Sequence, residues 1–141
     1  MAYCTISDLE VLTEIDWTPT TAPTIAQVEK MIDNVAAEID GVLQASGYDV
    51  PVSGADALEL LRSINAFGTG PEAYHATFLV EVLPPKVQYW QDRYDRFLKS
   101  VRAGEAQLPG LEPESDIDAA WGIAPSPQRE DYWLTNEALT N

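Results

Sequence analysis

The chain has a single cysteine, Cys4, and a single histidine, His75. An internal disulfide is therefore excluded, and a zinc site of nitrogen and sulfur ligands has too few donors. A Ser/His/Asp set would have to rest on His75 alone, and no Gly-rich dinucleotide fingerprint, Walker loop or calcium loop is present. No run of about 18 apolar residues occurs, so no membrane-spanning helix is expected. Basic residues are scarce: 8 Lys and Arg stand against 23 Asp and Glu, a net charge of −15. That balance repels nucleic acid and opposes close packing of identical copies unless salt or a partner neutralises it. The opening MAYCTISDLE lacks the basic and apolar regions of a secretory signal, which together with the lone Cys4 gives the expectation of a cytoplasmic product.

What is present reads as helix. The 141 residues suit one domain with a real core. Thr5 or Ser7 can cap a short first helix, with Asp8 or Glu10 returning the capping-box contact and Leu9, Leu12 and Ile15 on its apolar side. DWTPTTAPT, residues 16 to 24, reads as an extended linker. Ile25, Val28, Ile32, Val35, Ile39 and Val42 or Leu43 then recur at helical spacing, with Thr24 and Gln27 as a capping box and Gly47 as the stop. Ala36, Ala37, Gly41 and Ala45 on this element would admit a close neighbour. Ser53 and Asp56 are expected to open the next helix, with Leu58, Leu61, Ile64 and Phe67 or Asn65 inward and Gly68 ending it. A separate helix is expected over 71 to 79, with Pro71 at its first position. The last helix, KVQYWQDRYDRFLKSVRAGE, carries Val87, Trp90, Tyr94, Phe97, Leu98 and Val101 on one face, and its basic residues Arg93, Arg96, Lys99 and Arg102 gather toward the C-terminal end.

Beyond residue 104 the periodicity stops, prolines recur, and eight acids face one base, Arg129. The expected fold is thus all-α: a bundle of four to five helices over residues 1–104 and an extended acidic arm over 105–141. Trp121, Tyr132, Trp133 and Leu134 give the arm too much apolar area for a purely solvated tail. The arm is read as ordering on a partner, for which such side chains suit as anchors, or as folding back on the body.

No catalytic set emerges, and no enzyme activity, cofactor or metal is expected. His75 reads as a partly exposed helical residue and Cys4 as a small buried one. Glu29, Asp33 and Asp40 read as a solvated helical face, since nothing places two carboxylates across a cleft. Trp90, Tyr94 and Phe97 read as core. The loop SGYDVPVSG, residues 46 to 54, stands out because it holds Tyr48, Val50, Pro51 and Val52 between two helices. Either these side chains pack back over the helix pair or they form a contact with a neighbouring subunit.

In order along the chain run Tyr3 to Leu9 (YCTISDL), Ala36 to Leu43 (AAEIDGVL), Tyr48 to Val52 (YDVPV) and the looser Leu98 to Pro109 (LKSVRAGEAQLP). This succession resembles the small head-to-tail connector, or adaptor, proteins of tailed bacteriophages, over about residues 1 to 110. The resemblance implies a helical subunit of a ring, commonly dodecameric. Such a ring docks on the portal protein, extends the DNA channel without binding DNA specifically, and offers a platform for a stopper or tail-completion protein. It implies a protein made in the host bacterial cytoplasm and residing in the virion neck, away from any membrane, with Trp121, Tyr132, Trp133 and Leu134 as a portal-binding arm. The competing reading from composition is an acidic regulator or DNA mimic that binds a basic partner.

Overall fold

The computed structural model describes residues 2–111. Four helices make up the described chain, with no strand among these residues: α1 (Ile6–Thr13), α2 (Ile25–Ala45), α3 (Ala55–Phe78) and α4 (Pro85–Arg102). The all-α bundle is as expected. The arm residues Trp121, Tyr132, Trp133 and Leu134 lie outside the described residues.

Local signals set most of the boundaries. Thr5 caps α1, its hydroxyl accepting from the Asp8 N–H while the Asp8 carboxylate accepts from the Thr5 N–H. Thr24 and Gln27 do the same for α2. Such reciprocal caps satisfy backbone donors that the first helical turn leaves without partners. Gly47 follows α2 with a φ of 97°, a conformation in which a Cβ would be strained. Pro84 and Pro85 stand at the start of α4, where a missing N–H does no harm.

Helix α3 departs from expectation. Instead of stopping at Gly68 and restarting at Pro71, it runs unbroken for 24 residues. The reason is tertiary: α3 packs against all three other helices, and the GTGP stretch is where α2 and α4 close on it. A Cβ placed on Gly68 would lie 2.5 Å from Tyr94 Cε1 and 2.8 Å from Val35 Cγ1. One placed on Gly70 would lie 3.0 Å from Trp90 Cε3. Thr69, Gly70, Pro71 and Ala73 are all buried there. Burial on two sides outweighs the penalty of about 3 kcal/mol that an internal proline carries.

The start of α3 also differs. Gly54, with φ 115°, is its N-cap and supplies no side-chain bond, so Ser53 and Asp56 form no capping box. Leu58 turns outward, 39% exposed, and its place in the core is taken by Ala57.

Two clusters fill the interior. The larger joins Val35, Ile39 and Leu43 of α2, Leu61 and Ile64 of α3, and Tyr94, Leu98 and Val101 of α4. The smaller joins Cys4, Leu9, Trp17, Val28, Ile32, Ala66 and Ala73. Trp17 belongs to the stretch expected as a plain linker, yet it is buried. Its indole N–H donates to Thr77 Oγ1 at 3.2 Å, and its backbone N–H donates to Glu10 Oε2 at 3.1 Å.

The body does not end at Gly104. The chain turns there at φ 74° and folds back, so that Leu108 is 2% exposed inside the larger cluster and Ala106 and Leu111 pack against it. The Leu108 N–H donates to the Tyr48 hydroxyl at 3.3 Å. The boundary expected at 104 therefore moves to at least 111. Ending the chain at Gly104 should lower unfolding stability by about 2–3 kcal/mol, the scale of removing one buried leucine. Ending it at Leu111 keeps these contacts. Urea melts of the two truncated chains against the full chain check this.

Candidate functional site

The loop after α2 is built from the inside. Tyr48 and Val52 are each 5% exposed and belong to the larger cluster, while Val50 is half-buried against it. Pro51 is exposed. The Val52 N–H donates to the Tyr3 hydroxyl at 3.2 Å, and that hydroxyl donates to Asp40. Of the four loop residues considered for a subunit contact, Tyr48 and Val52 are thus committed to the core of their own chain. Only Pro51 and the outer part of Val50 remain to face another molecule. An aromatic ring and branched side chains in this loop are needed to close the end of the α2–α3–α4 core.

The N-terminal segment is pinned by one buried amide. Asn65, fully buried in α3, accepts from the Tyr3 and Cys4 N–H groups at 2.9 and 3.1 Å through Oδ1. Its Nδ2 donates to the Ile32 carbonyl at 3.3 Å and to Thr69 Oγ1 at 3.4 Å. Arg62 of the same helix reaches Asp8 at 2.6 Å. The Arg62 hydrogen bond, reinforced by the Thr5 cap, holds the Asp8 carboxyl below the usual carboxylate range.

Burial, and then the negative charge of Asp8, pushes the Cys4 thiol up to about 12, so at neutral pH it is an inert core thiol. Burial and the hydrogen bond to Asp40 push the Tyr3 phenol up to about 12 as well. Tyr94, which donates to Glu38 and is largely enclosed, is raised for the same two reasons. Both N-terminal groups are neutral when folded, and each has a folded value above its unfolded one. Their contribution is therefore complete below about pH 9 and is lost as pH rises from there toward 12. Melting temperature should fall between about pH 9 and about pH 12, and less so in Tyr3→Phe, which has no phenol to ionise. Equal alkaline sensitivity in both chains would contradict this.

Among the described residues, no group of three or more His, Cys, Asp or Glu is disposed to hold a metal. His75 is exposed on α3. Glu29 and Asp33 lie on the exposed side of α2, while Asp40 is partly buried by its bond to Tyr3. No helix of the described chain is long and apolar enough to cross a membrane.

What the surface does carry is exposed apolar side chains, at the two ends of α3 and at Val11 of α1, which is 81% exposed. At the α3–α4 turn, Phe78, Leu79, Val82 and Tyr89 are 51%, 77%, 76% and 53% exposed. Tyr74 packs on Phe78 with ring centroids 4.6 Å apart. Leu79 adopts a left-handed conformation, φ 53°, at a helix C-terminus where glycine is the natural residue. A leucine there gives up about 1–2 kcal/mol and leaves its side chain in water. At the other end of α3, Leu58 is 39% exposed, and Pro51 of the preceding loop is exposed as well. Leu58 and Phe78 are 20 residues apart on one helix, so these exposed apolar positions are separated by about 30 Å. Sequence periodicity missed the patch at the turn; its only signal was FLVEVLPP, an apolar run too short and too broken for a helix.

No protein-family profile, curated protein or solved structure matches the chain.

Proposed function

We propose that this chain is the subunit of a head-to-tail connector ring of a tailed bacteriophage, which docks on the portal, extends the DNA channel and carries a stopper or tail component. The observation that supports the reading most is the exposed apolar cluster at the α3–α4 turn, with Leu58 exposed about 30 Å away at the other end of the same helix. A ring formed by head-to-tail contacts needs two different surfaces on each subunit, the turn patch of one copy meeting another region of the next. Leu79, 77% exposed in a left-handed conformation that costs stability, supports a use for this cluster in a contact.

The four segments that carry the resemblance also converge in space. Tyr3 joins Asp40 and Val52, and Tyr48 joins Leu108. Their recurrence thus reads as the frame of one body rather than as scattered likeness. The strong negative charge gives the channel a wall to which DNA phosphates do not bind by counterion release.

The test separates folding from assembly. Leu79→Gly relieves the backbone strain and should raise stability of the isolated chain by up to about 1 kcal/mol. Combined with Val82→Ser it should abolish ring formation, read by sedimentation velocity at a salt concentration that screens the charge. Rings that persist in the double variant would remove the turn patch from the assembly and with it the main support for this reading.

A further inference from the structure

A shallow groove of about 200 Å³ lies along α4, floored by Leu60, Ile64, Phe97 and Ala106 and rimmed by Arg93 and Arg96. No carboxylate lines it, in a chain whose acids outnumber its bases by 23 to 8. Arg62 makes both ion pairs found among the described residues, so neither rim arginine has an acidic partner there. Arg93 is nonetheless held in place. Its guanidinium lies 5.4 Å from the Phe67 ring centre and donates to the Tyr89 hydroxyl at 2.8 Å. An apolar floor beside two cations three residues apart on one helix suits an acidic peptide that brings one large apolar side chain.

The chain encodes such a peptide next to the groove. After Leu111 it reads EPESDIDAAW, with acids at 112, 114, 116 and 118 and a tryptophan at 121. Acids at every second position share one side of an extended chain at a repeat of about 6.8 Å. Neighbouring i and i+3 side chains on a helix start about 5–6 Å apart, and arginine is long enough to meet that repeat. The chain leaves from the groove's neighbourhood: Ala106 lines it, and Leu111, five residues on, lies against the 48–53 loop while packing on the same core cluster as Leu60 and Phe97. The ten residues from 112 to 121 span up to about 35 Å, more than the roughly 27 Å length of α4.

We propose that residues 112–121 of the same chain dock in this groove, with two successive acids of the set Glu112, Glu114, Asp116 and Asp118 meeting Arg93 and Arg96, and with a turn at Ala119–Ala120 bringing the Trp121 indole over Phe97. The contact forms within the free protein and does not depend on the portal reading. Any partner that takes Trp121 has to displace it first.

Hydrogen exchange of the full chain tests this. In the wild type, amides of 112–121 should exchange at least about tenfold more slowly than in a free peptide of the same sequence. Arg93→Glu/Arg96→Glu should return them to the peptide rate while α2 amides stay protected, and so should about 1 M salt, where the screening length is only about 3 Å. If the double variant loosens α4 itself, Arg96→Glu alone serves, because Arg96 has no hydrogen-bond or ionic partner among the described residues. Adding Glu112→Lys, Glu114→Lys, Asp116→Lys and Asp118→Lys to the arginine variants should restore protection. Exchange at the peptide rate in the wild type, or protection indifferent to the arginines, overturns the proposal. Protection that grows with protein concentration also overturns it, by assigning the groove to the segment of another copy.

Discussion

Asn65→Ala should cost about 3–4 kcal/mol, a fall in melting temperature on the order of 15 °C for a body of this size. The size follows from what the amide does. It satisfies the Tyr3 and Cys4 N–H groups and the Ile32 carbonyl from a position with no exposure to water. Alanine leaves two backbone donors without partners, at about 1–3 kcal/mol each where they stay buried, and opens a void beside Thr69. Asn65→Leu separates the two contributions, since it refills the volume but restores no acceptor. It should recover less than half of the loss. Hydrogen exchange at Tyr3 and Cys4 gives a local readout, because those amides should become the fastest within residues 2–9. A loss below about 1 kcal/mol would show that the N-terminal segment is held by the Leu9 and Trp17 packing and not by this amide.

Gly68→Ala is the second large effect, and its sign opposes helix propensity. Alanine is favoured over glycine by about 1 kcal/mol inside a helix, so on an isolated α3 the change would stabilise. In the bundle the new methyl would sit 2.5 and 2.6 Å from two carbons of the Tyr94 ring and 2.8 Å from Val35 Cγ1. The ring cannot step aside easily, because its hydroxyl is tied to Glu38 and its face is buried. Overpacking of this kind costs about 1–3 kcal/mol after relaxation, and here the upper end applies because α2 and α4 would both have to move. Denaturant unfolding checks the sign directly. Stabilisation by Gly68→Ala would mean that α4 yields readily and that the helix contact is looser than its geometry states. Gly41→Ala supplies the contrast, since nothing lies within 4 Å of its added carbon and only the propensity gain should remain.

These two residues also mark how far the sequence could be read. Helices α1, α2 and α4 were legible because their signals are local: the capping boxes at Thr5 and Thr24, the apolar spacing from Val28 to Leu43, and the Val87–Val101 face. Helix α3 was misread as two because Gly68 and Pro71 act locally as breakers, whereas their actual role is set by Tyr94, Val35 and Trp90 from elsewhere in the chain. Asn65 was one of two options for a buried position, and nothing nearby in the sequence shows that its partners are residues 3 and 4. Leu108 and Trp17 lie outside any periodic run, so their burial depends on chain reversals that spacing does not encode. The same limit applies to the surface. The loop 46–54 was legible as unusual, but only the fold shows that Tyr48 and Val52 face inward, while Leu79 and Val82 face water.

On the proposed function, the described body is a ring subunit and the chain beyond residue 111 holds it to a portal. Charge sets the conditions for testing it. A chain with a net charge of −15 should assemble poorly at low salt without a neutralising partner, so binding has to be measured where screening is adequate. The cut has to fall at Leu111 and not at Gly104, because the earlier cut takes Leu108 out of the core and would confuse unfolding with loss of the arm.

The measurement that bears most directly on this proposal is co-sedimentation with assembled rings of the portal that the proposed function assigns to it, using the full chain and the chain ending at Leu111, both verified as folded. The account predicts saturable binding by the full chain and loss of that binding on truncation. Absence of binding by either chain contradicts the connector reading and returns the acidic regulator to first place.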